Sequence, residues 1–304
     1  MPTSAAPEYL SRAEPASSPD VPDFAFDPTD PWTKTFQEGL RRANLTGKRV
    51  YEVGIGTGMN AVFLLREIGA SSVSGSDLDP RLARLSANNI EELAPGHAHR
   101  FHPVGGSVSL IDTDAARAEI ARSDTVIACL PQVISPDDEK FSEFRKSQGV
   151  EYGDEELDKS ADHIAHYYPW EIFDCLPFNA VGLGLNEALL RRMKVSAPKT
   201  ELIMNFGARI PKETIFAMFV ANGYAPEVLF SKIVKQDVGT DISFFVTLEA
   251  AMQGTGMERD FVCTFFGDAE GKVPLSALEA QQQQEEAPGT PLYHEVCVIR
   301  GKPA

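Results

Sequence analysis

Residues 50–65 read VYEVGIGTGMNAVFLL. An apolar run takes in the acidic Glu52, Gly54, Gly56 and Gly58 follow at alternate positions, and apolar residues then recur at helical spacing. The pattern predicts a strand, a tight glycine turn and a helix N-terminus. Such a turn aims backbone N–H groups and the positive end of a helix dipole at a polar ligand. The next segment, SSVSGSDLDP at 71–80, carries alternating apolar residues into Asp77. An acidic residue about twenty positions beyond a glycine turn, at the end of the following strand, is placed to accept hydrogen bonds from both hydroxyls of a ribose. Helix capping is the competing role, and Asp79, directly before Pro80, is better placed for it. Two signals at this separation point to a nucleotide-like ligand more firmly than a glycine motif alone.

A chain of 304 residues with a formal charge of −16 can bury a sizeable core, and it lacks the excess of Lys and Arg that DNA, RNA or an anionic membrane would demand. A small-molecule substrate fits better. There is no uninterrupted apolar run of about eighteen residues and no basic segment leading into an apolar block at the N-terminus, so neither a membrane span nor a secretory signal is expected, and the cytosol is the default location. Cys129, Cys175, Cys263 and Cys297 stand far apart without a C-x-x-C pair, which favours reduced thiols over a zinc site or a disulfide framework.

Residues 1–23 are rich in Pro, Ser and Ala and are expected to form a flexible arm. DPWTKTFQEGLRRANL at 30–45 places Trp32, Phe36 and Leu40 on one face of a helix, which either packs on the core or forms a lid over the ligand. After the ribose signal come a helix from Arg81 to Leu93, a short strand in FHPVGG, a helix from Ala115 to Arg122 and a fourth strand in SDTVIACLPQVI. His97, His99 and His102 lack supporting carboxylates or cysteines and read as loop histidines rather than a metal site. Residues 135–162 are charged and aperiodic, long enough for an insertion over a site. HIAHYYPWEIFDCLPF at 163–178 gathers Tyr167, Tyr168, Trp170, Phe173 and Phe178, which serve a core or wall a pocket for a cation. A helix in GLGLNEALLRRM, a strand in TELIMNFG, a helix in PKETIFAMFVANG and strands near EVLFSKIV and ISFFVTLE then complete a seven-strand α/β pattern. Two strand-like runs, FVCTFF and YHEVCVIR, flank the tract Gln281 to Gln284. The organisation expected is an arm over 1–23, a main domain over 24–250 and a hairpin-like β extension over 251–304.

The glycine stretch fits E-x-G-x-G-x-G, the form found in methyltransferases that use S-adenosylmethionine (SAM), better than the dinucleotide form G-x-G-x-x-G. DPWTKTFQEG, YEVGIGTG, GSDLDP, ACLPQVISP, the GLGL helix start, IMNFGARIP and GTDISFFVTLE together resemble the methionine S-methyltransferases, with a fainter echo in VCTFFGDAEG and YHEVCVI. The likeness is to the N-terminal module of the plant enzyme and to stand-alone bacterial forms that methylate methionine on the way to dimethylsulfoniopropionate. It covers residues 30–249, and the CLPQ and GTDIS segments are its specific parts. The plant enzyme's large aminotransferase-like portion is absent, and NFGARIP stands where a more glycine-rich loop is expected.

That resemblance implies a Rossmann-like class I SAM methyltransferase with a seven-stranded sheet, an N-terminal helical lid and a C-terminal β extension. SAM would be held by Glu52, Gly54, Gly56, Gly58, Asp77, Leu78, Ser107 and Cys129, with Ser107 toward the adenine. In amine- and amide-methylating relatives the loop after the fourth strand reads N-P-P-Y. Here Cys129 replaces Asn and Gln132 replaces Tyr, which disfavours a planar nitrogen acceptor.

A thioether carries a free lone pair and no proton, so transfer to it needs positioning of the two reactants about 3 Å apart and no general base. No catalytic residue and no metal are therefore expected. The acceptor would meet Leu130, Pro131, Gln132, Tyr168, Asn205, Arg209 and Asp241, with aromatic faces steadying the new sulfonium and Arg209, Asn205 and Asp241 as candidates for its charged ends. The expected partner is free methionine, with neither nucleic acid nor membrane. A homodimer is compatible with such a fold. Methylation of another small molecule or of a glutamine or amine nitrogen is the alternative activity, and a SAM-binding scaffold without catalysis is the non-enzymatic one.

Overall fold

The computed structural model describes residues 30–132, 175–236 and 242–304. The arm over 1–23, the insertion over 135–162, and Tyr167, Tyr168, Trp170, Phe173 and Asp241 lie outside the described residues.

The first strand, β1 (Arg49–Val53), runs parallel to β2 (Ser72–Ser76) on one side and to β4 (Thr125–Ala128) on the other. β3 (Phe101–Pro103) extends the sheet beyond β2, and β5 (Glu201–Gly207) extends it beyond β4, all parallel. Helices cover both faces, which is why β1, β2, β4 and β5 are almost continuously buried rather than alternating between core and solvent. Tyr51, Val126, Leu202 and Phe206 belong to the core on one face, and Val50, Ile127, Ile203 and Val298 to the core on the other. The Rossmann-like class is as expected.

The C-terminal half of the sheet differs from expectation. ISFFVTLE is not a strand: Ser243–Met252 forms a helix. Its alternating Ile242, Phe244, Val246 and Leu248 imitate a strand, but the helix sets Phe245 edge-on against Phe265, 5.7 Å between centroids, and turns Glu249 inward to accept from the Ala277 N–H at 2.8 Å. The missing strand comes from the end of the chain. β9 (Tyr293–Pro303) lies antiparallel between β5 and β6 (Tyr224–Lys235), pairing Leu202 with Gly301 on one side and Tyr224 with Pro303 on the other. Residues expected in a peripheral hairpin thus supply an interior strand. Only β7 (Phe265–Phe266) and β8 (Pro274–Leu275) are hairpin-like, and β7 joins the sheet at Tyr293. Nine strands are present among the described residues, against seven expected. The glutamine tract lies in a helix, Ala277–Glu286, started by a reciprocal capping box of Ser276 and Glu279.

Helix α1 (Pro31–Arg42) begins at Asp30, whose carboxylate accepts from the Thr33 N–H at 2.7 Å, with proline in its first turn. Phe36 and Leu40 are buried, each contributing roughly 2 kcal/mol of apolar transfer energy. Gly39 allows close docking on β9, because a Cβ there would sit 2.5 Å from Val298. The helix is therefore fixed across the sheet, with its N-terminal turn projecting toward the end where β1, β4 and β5 finish.

Candidate functional site

The glycine turn hangs from β2: the N–H groups of Gly54 and Ile55 both donate to the Ser76 carbonyl, at 2.9 and 3.0 Å. Gly54, Gly56 and Gly58 have φ of +75°, +52° and +82°, a region that favours glycine. Gly58 also meets the next helix, Pro80–Leu93, since a Cβ there would lie 2.8 Å from the Ser86 Cβ. At Gly56 a Cβ would meet nothing within 4 Å and would project into open space.

Asp77 is bonded to this turn. Its Oδ2 accepts from the Gly56 N–H at 2.9 Å and its Oδ1 from the Asp79 N–H at 3.2 Å. Burial pushes its pKa up, while the N–H groups of Gly56, Asp79 and Leu78 pull it back. Asp79 does cap the following helix, accepting from the Arg81 N–H at 2.9 Å.

A cleft of about 300 Å3 opens above the strand ends, lined by Asp30, Trp32, Thr33, Phe36, Glu52, Gly54, Ile55, Gly56, Thr57, Met59, Asn60, Cys129 and Asn205. Strand alternation brings three of these together: Glu52, Cys129 and Asn205 continue the face of Val50, Ile127 and Ile203, and His294, outside the lining, continues the same face from Val298. The α1 helix lies over that face. The Glu52 Oε1 accepts from the Asn60 amide at 2.7 Å, and its Oε2 is buried with no hydrogen-bond partner among the described residues. Burial raises the Glu52 carboxyl to about 8, with nearby Asp77 adding to the effect and Asn60 opposing it. Asn205 donates to the Cys129 Sγ at 3.6 Å, leaving its buried Oδ1 without a partner among the described residues.

Beyond Asn205 the chain bends at Gly207, where a Cβ would stand 2.7 Å from the Trp32 ring and 3.0 Å from the Arg209 Nη2. The Arg209 guanidinium lies between two aromatic rings, 5.7 Å from the centroid of Trp32 and 5.1 Å from that of Phe245. Burial lowers its pKa to about 10, and no carboxylate pairs with it among the described residues. His294 stacks on Trp32 with centroids 5.5 Å apart. Burial, with the Arg209 charge adding to it, drops its pKa to about 3 and keeps the ring neutral.

Of the residues expected to hold a cofactor, Glu52, Gly54, Gly56 and Cys129 line the cleft; Gly58, Asp77 and Leu78 support its rim, and Ser107 is in the exposed turn beyond β3. Of the expected acceptor contacts, Asn205 lines the cleft. Leu130 is buried beneath Gly54, the Pro131 carbonyl accepts from Asn186 at 3.4 Å, and Gln132 is hydrogen-bonded to Gly207. Asn60 and His294 were not singled out from sequence. Asn60 had a local clue, a helix N-terminus eight residues past Glu52, whereas His294 had none. Among the described residues no group of three His, Cys, Asp or Glu side chains could hold a metal, and no helix is long and apolar enough to cross a membrane.

No protein-family model matches the chain. It is 26% identical over 274 residues to methionine S-methyltransferase of Hordeum vulgare, covering 86% of this chain and 23% of that protein. It is 26% identical over 237 residues to methionine S-methyltransferase of Arabidopsis thaliana, covering 74% of this chain and 21% of that protein. A shorter likeness, 40% identity over 72 residues, links it to ribosomal protein L11 methyltransferase of Histophilus somni, covering 23% of this chain and 24% of that protein. The chain spans less than a quarter of the length of the curated relatives that it matches most broadly. Over most of its own length the chain is similar to one portion of the methionine S-methyltransferases.

Proposed function

We propose that this chain transfers the methyl group of SAM to the thioether sulfur of L-methionine, giving S-methylmethionine and S-adenosylhomocysteine. The observation that carries the reading is the cleft, with the glycine turn and Glu52 at one end and Asn205 at the other, in a chain related to methionine S-methyltransferases. The residues fit the donor: Gly56 leaves room where any side chain would intrude, and the buried Glu52 Oε2 lacks a partner that an ammonium could supply.

Bound SAM supplies an activated methyl, whose carbon–sulfur electrons return to the donor sulfur as the acceptor lone pair forms the new bond. Charge is conserved and no proton moves. The site suits such a step because neither acidic side chain lining it is a free base. Asp30 caps α1, and Glu52 is hydrogen-bonded to Asn60 with its pKa raised to about 8. The protein's task is positioning. Glu52, Gly54, Gly56 and Cys129, steadied by Gly58, Asp77 and Leu78, hold the donor, with Ser107 toward its adenine; Asn205 and Arg209 hold the charged ends of the acceptor. Leu130, Pro131, Gln132, Tyr168 and Asp241 remain proposed acceptor-side residues, of which Gln132 acts through Gly207. Free methionine in the cytosol is the proposed substrate, and the first step toward dimethylsulfoniopropionate the proposed role, with residues 24–250 together with the inserted strand β9 as the transferase unit and a homodimer as its assembly.

The likeness to ribosomal protein L11 methyltransferase supports a second reading, methylation of an acceptor other than free methionine. Incubating the purified protein with SAM and either methionine, glycine or a glutamine peptide, with mass spectrometry of the products, separates the two. A methylsulfonium product from methionine is expected. Its absence under conditions where SAM binds overturns the reading.

A further inference from the structure

Behind Trp32, which lines the cleft, two groups capable of hydrogen-bond donation, Arg209 and His294, flank its ring. His294 is only 2% exposed and neither ring nitrogen has a hydrogen-bond partner among the described residues; the Arg209 Nε is likewise buried and unpartnered. A neutral imidazole carries one N–H, and a guanidinium is always a donor. Leaving such groups unmatched in a low-dielectric setting is costly, and buried polar groups are ordinarily satisfied. A carboxylate has two oxygens and one negative charge, enough to answer both donors and the unpaired cation together. An ammonium would be repelled by Arg209. The neighbouring Asn205 Oδ1, an acceptor without a partner on the same sheet face, suits an ammonium instead. The arrangement is polarised, with acceptors toward Glu52 and donors toward His294.

Resting on the reading above, we infer that His294 is a specificity-determining residue that donates its N–H to the carboxylate of the acceptor beside Arg209, under the roof of Trp32. The substrate class is thereby an α-amino acid with a free carboxylate, and thioether amines lacking it are disfavoured. Trp32 is a positioning residue: contact with its ring sets the direction of both donors.

The test compares methionine with its decarboxylated amine, 3-(methylthio)propylamine, as methyl acceptors, through the ratio of their kcat/KM values. In His294→Phe the preference for methionine should fall about tenfold or more, the effect of losing a hydrogen bond to a charged group. Affinity for S-adenosylhomocysteine should stay within about twofold, on the reasoning that the donor binds at the other end of the cleft. His294→Gln, which keeps an N–H donor, should recover part of the preference. An unchanged preference in both variants overturns the inference while leaving methionine methylation standing. A wild-type protein that binds SAM and leaves methionine unmethylated overturns both. Should His294→Phe fail to fold, 15N NMR of histidine-labelled wild-type protein with S-adenosylhomocysteine bound gives the same decision. Methionine should shift the His294 ring resonances and the amine should not; equal responses overturn the inference.

Discussion

The side-chain amide of Gln132 meets both backbone groups of Gly207: its Oε1 accepts from the Gly207 N–H at 2.7 Å and its Nε2 donates to the Gly207 carbonyl at 3.1 Å. The pairing imitates a backbone ladder and joins the loop after β4 to the end of β5. Gln132→Ala should therefore cost about 1–3 kcal/mol of stability by orphaning those groups. Differential scanning calorimetry checks this. A raised methionine KM with an unchanged Tm would instead make Gln132 a direct substrate contact.

Gly56 and Gly58 should separate binding from folding. Gly58→Ala forces a Cβ against Ser86 at a left-handed φ, which should cost about 2–4 kcal/mol. Gly56→Ala meets no neighbour, so its stability cost should be only the left-handed strain of about 1–2 kcal/mol. Gly56 lines the cleft, however, so with a methyl added there affinity for S-adenosylhomocysteine should fall more than about tenfold. Chemical denaturation and titration calorimetry of the two variants distinguish these effects; equal losses of affinity in both would contradict the assignment.

Glu52 should couple donor binding to pH. Its carboxyl lies at about 8 in the free protein against an ordinary 4.5, so the folded state holds the proton more tightly than the unfolded chain. The resulting stabilisation is complete below the ordinary value and is lost as pH rises through about 8. A cationic ligand beside Glu52 favours the carboxylate. Donor binding at pH 7 should therefore release protons, and affinity should rise from pH 6 to 8 and level off above. Calorimetry in buffers of different ionisation enthalpy measures the release, which Glu52→Gln should abolish. Proton-neutral binding by the wild type would exclude contact between the donor's charge and Glu52.

Gly207→Ala should act on the acceptor. The added Cβ would overlap the Trp32 ring and crowd Arg209, at an overpacking cost of about 1–3 kcal/mol. Displacing Trp32 should raise the methionine KM severalfold and leave the SAM KM nearly unchanged in steady-state assays. A rise in the SAM KM alone would place Trp32 on the donor side.

The donor half of the site was legible because its signals are local. Glu52, the three glycines and Asp77 lie within one β–turn–α–β unit, where residue spacing fixes geometry. The acceptor half was not, since Trp32, Arg209 and His294 meet only after β9 is inserted beside β5. Alternation identified Tyr293 to Arg300 as strand-like but said nothing about its neighbours, because strand order is decided by long-range packing. The same alternation misled at Ile242 to Glu249, where a helix sets Phe245 against Phe265 and Glu249 against the Ala277 N–H. The position of its loop suggests a substrate role for Gln132, and sequence alone does not show that its side chain bonds to Gly207 of the neighbouring strand.

The place of β9 also bears on how the protein is made. A chain emerging N-terminus first presents β5 and β6 before the strand that must separate them, and domains begin to assemble as they emerge. The two are free to pair directly with one another in the interval, a short-range error that would exclude β9 and leave the cleft without His294. Correct assembly therefore leaves the β5 edge for Tyr293–Pro303, and insertion of β9 should be a late step in maturing the protein.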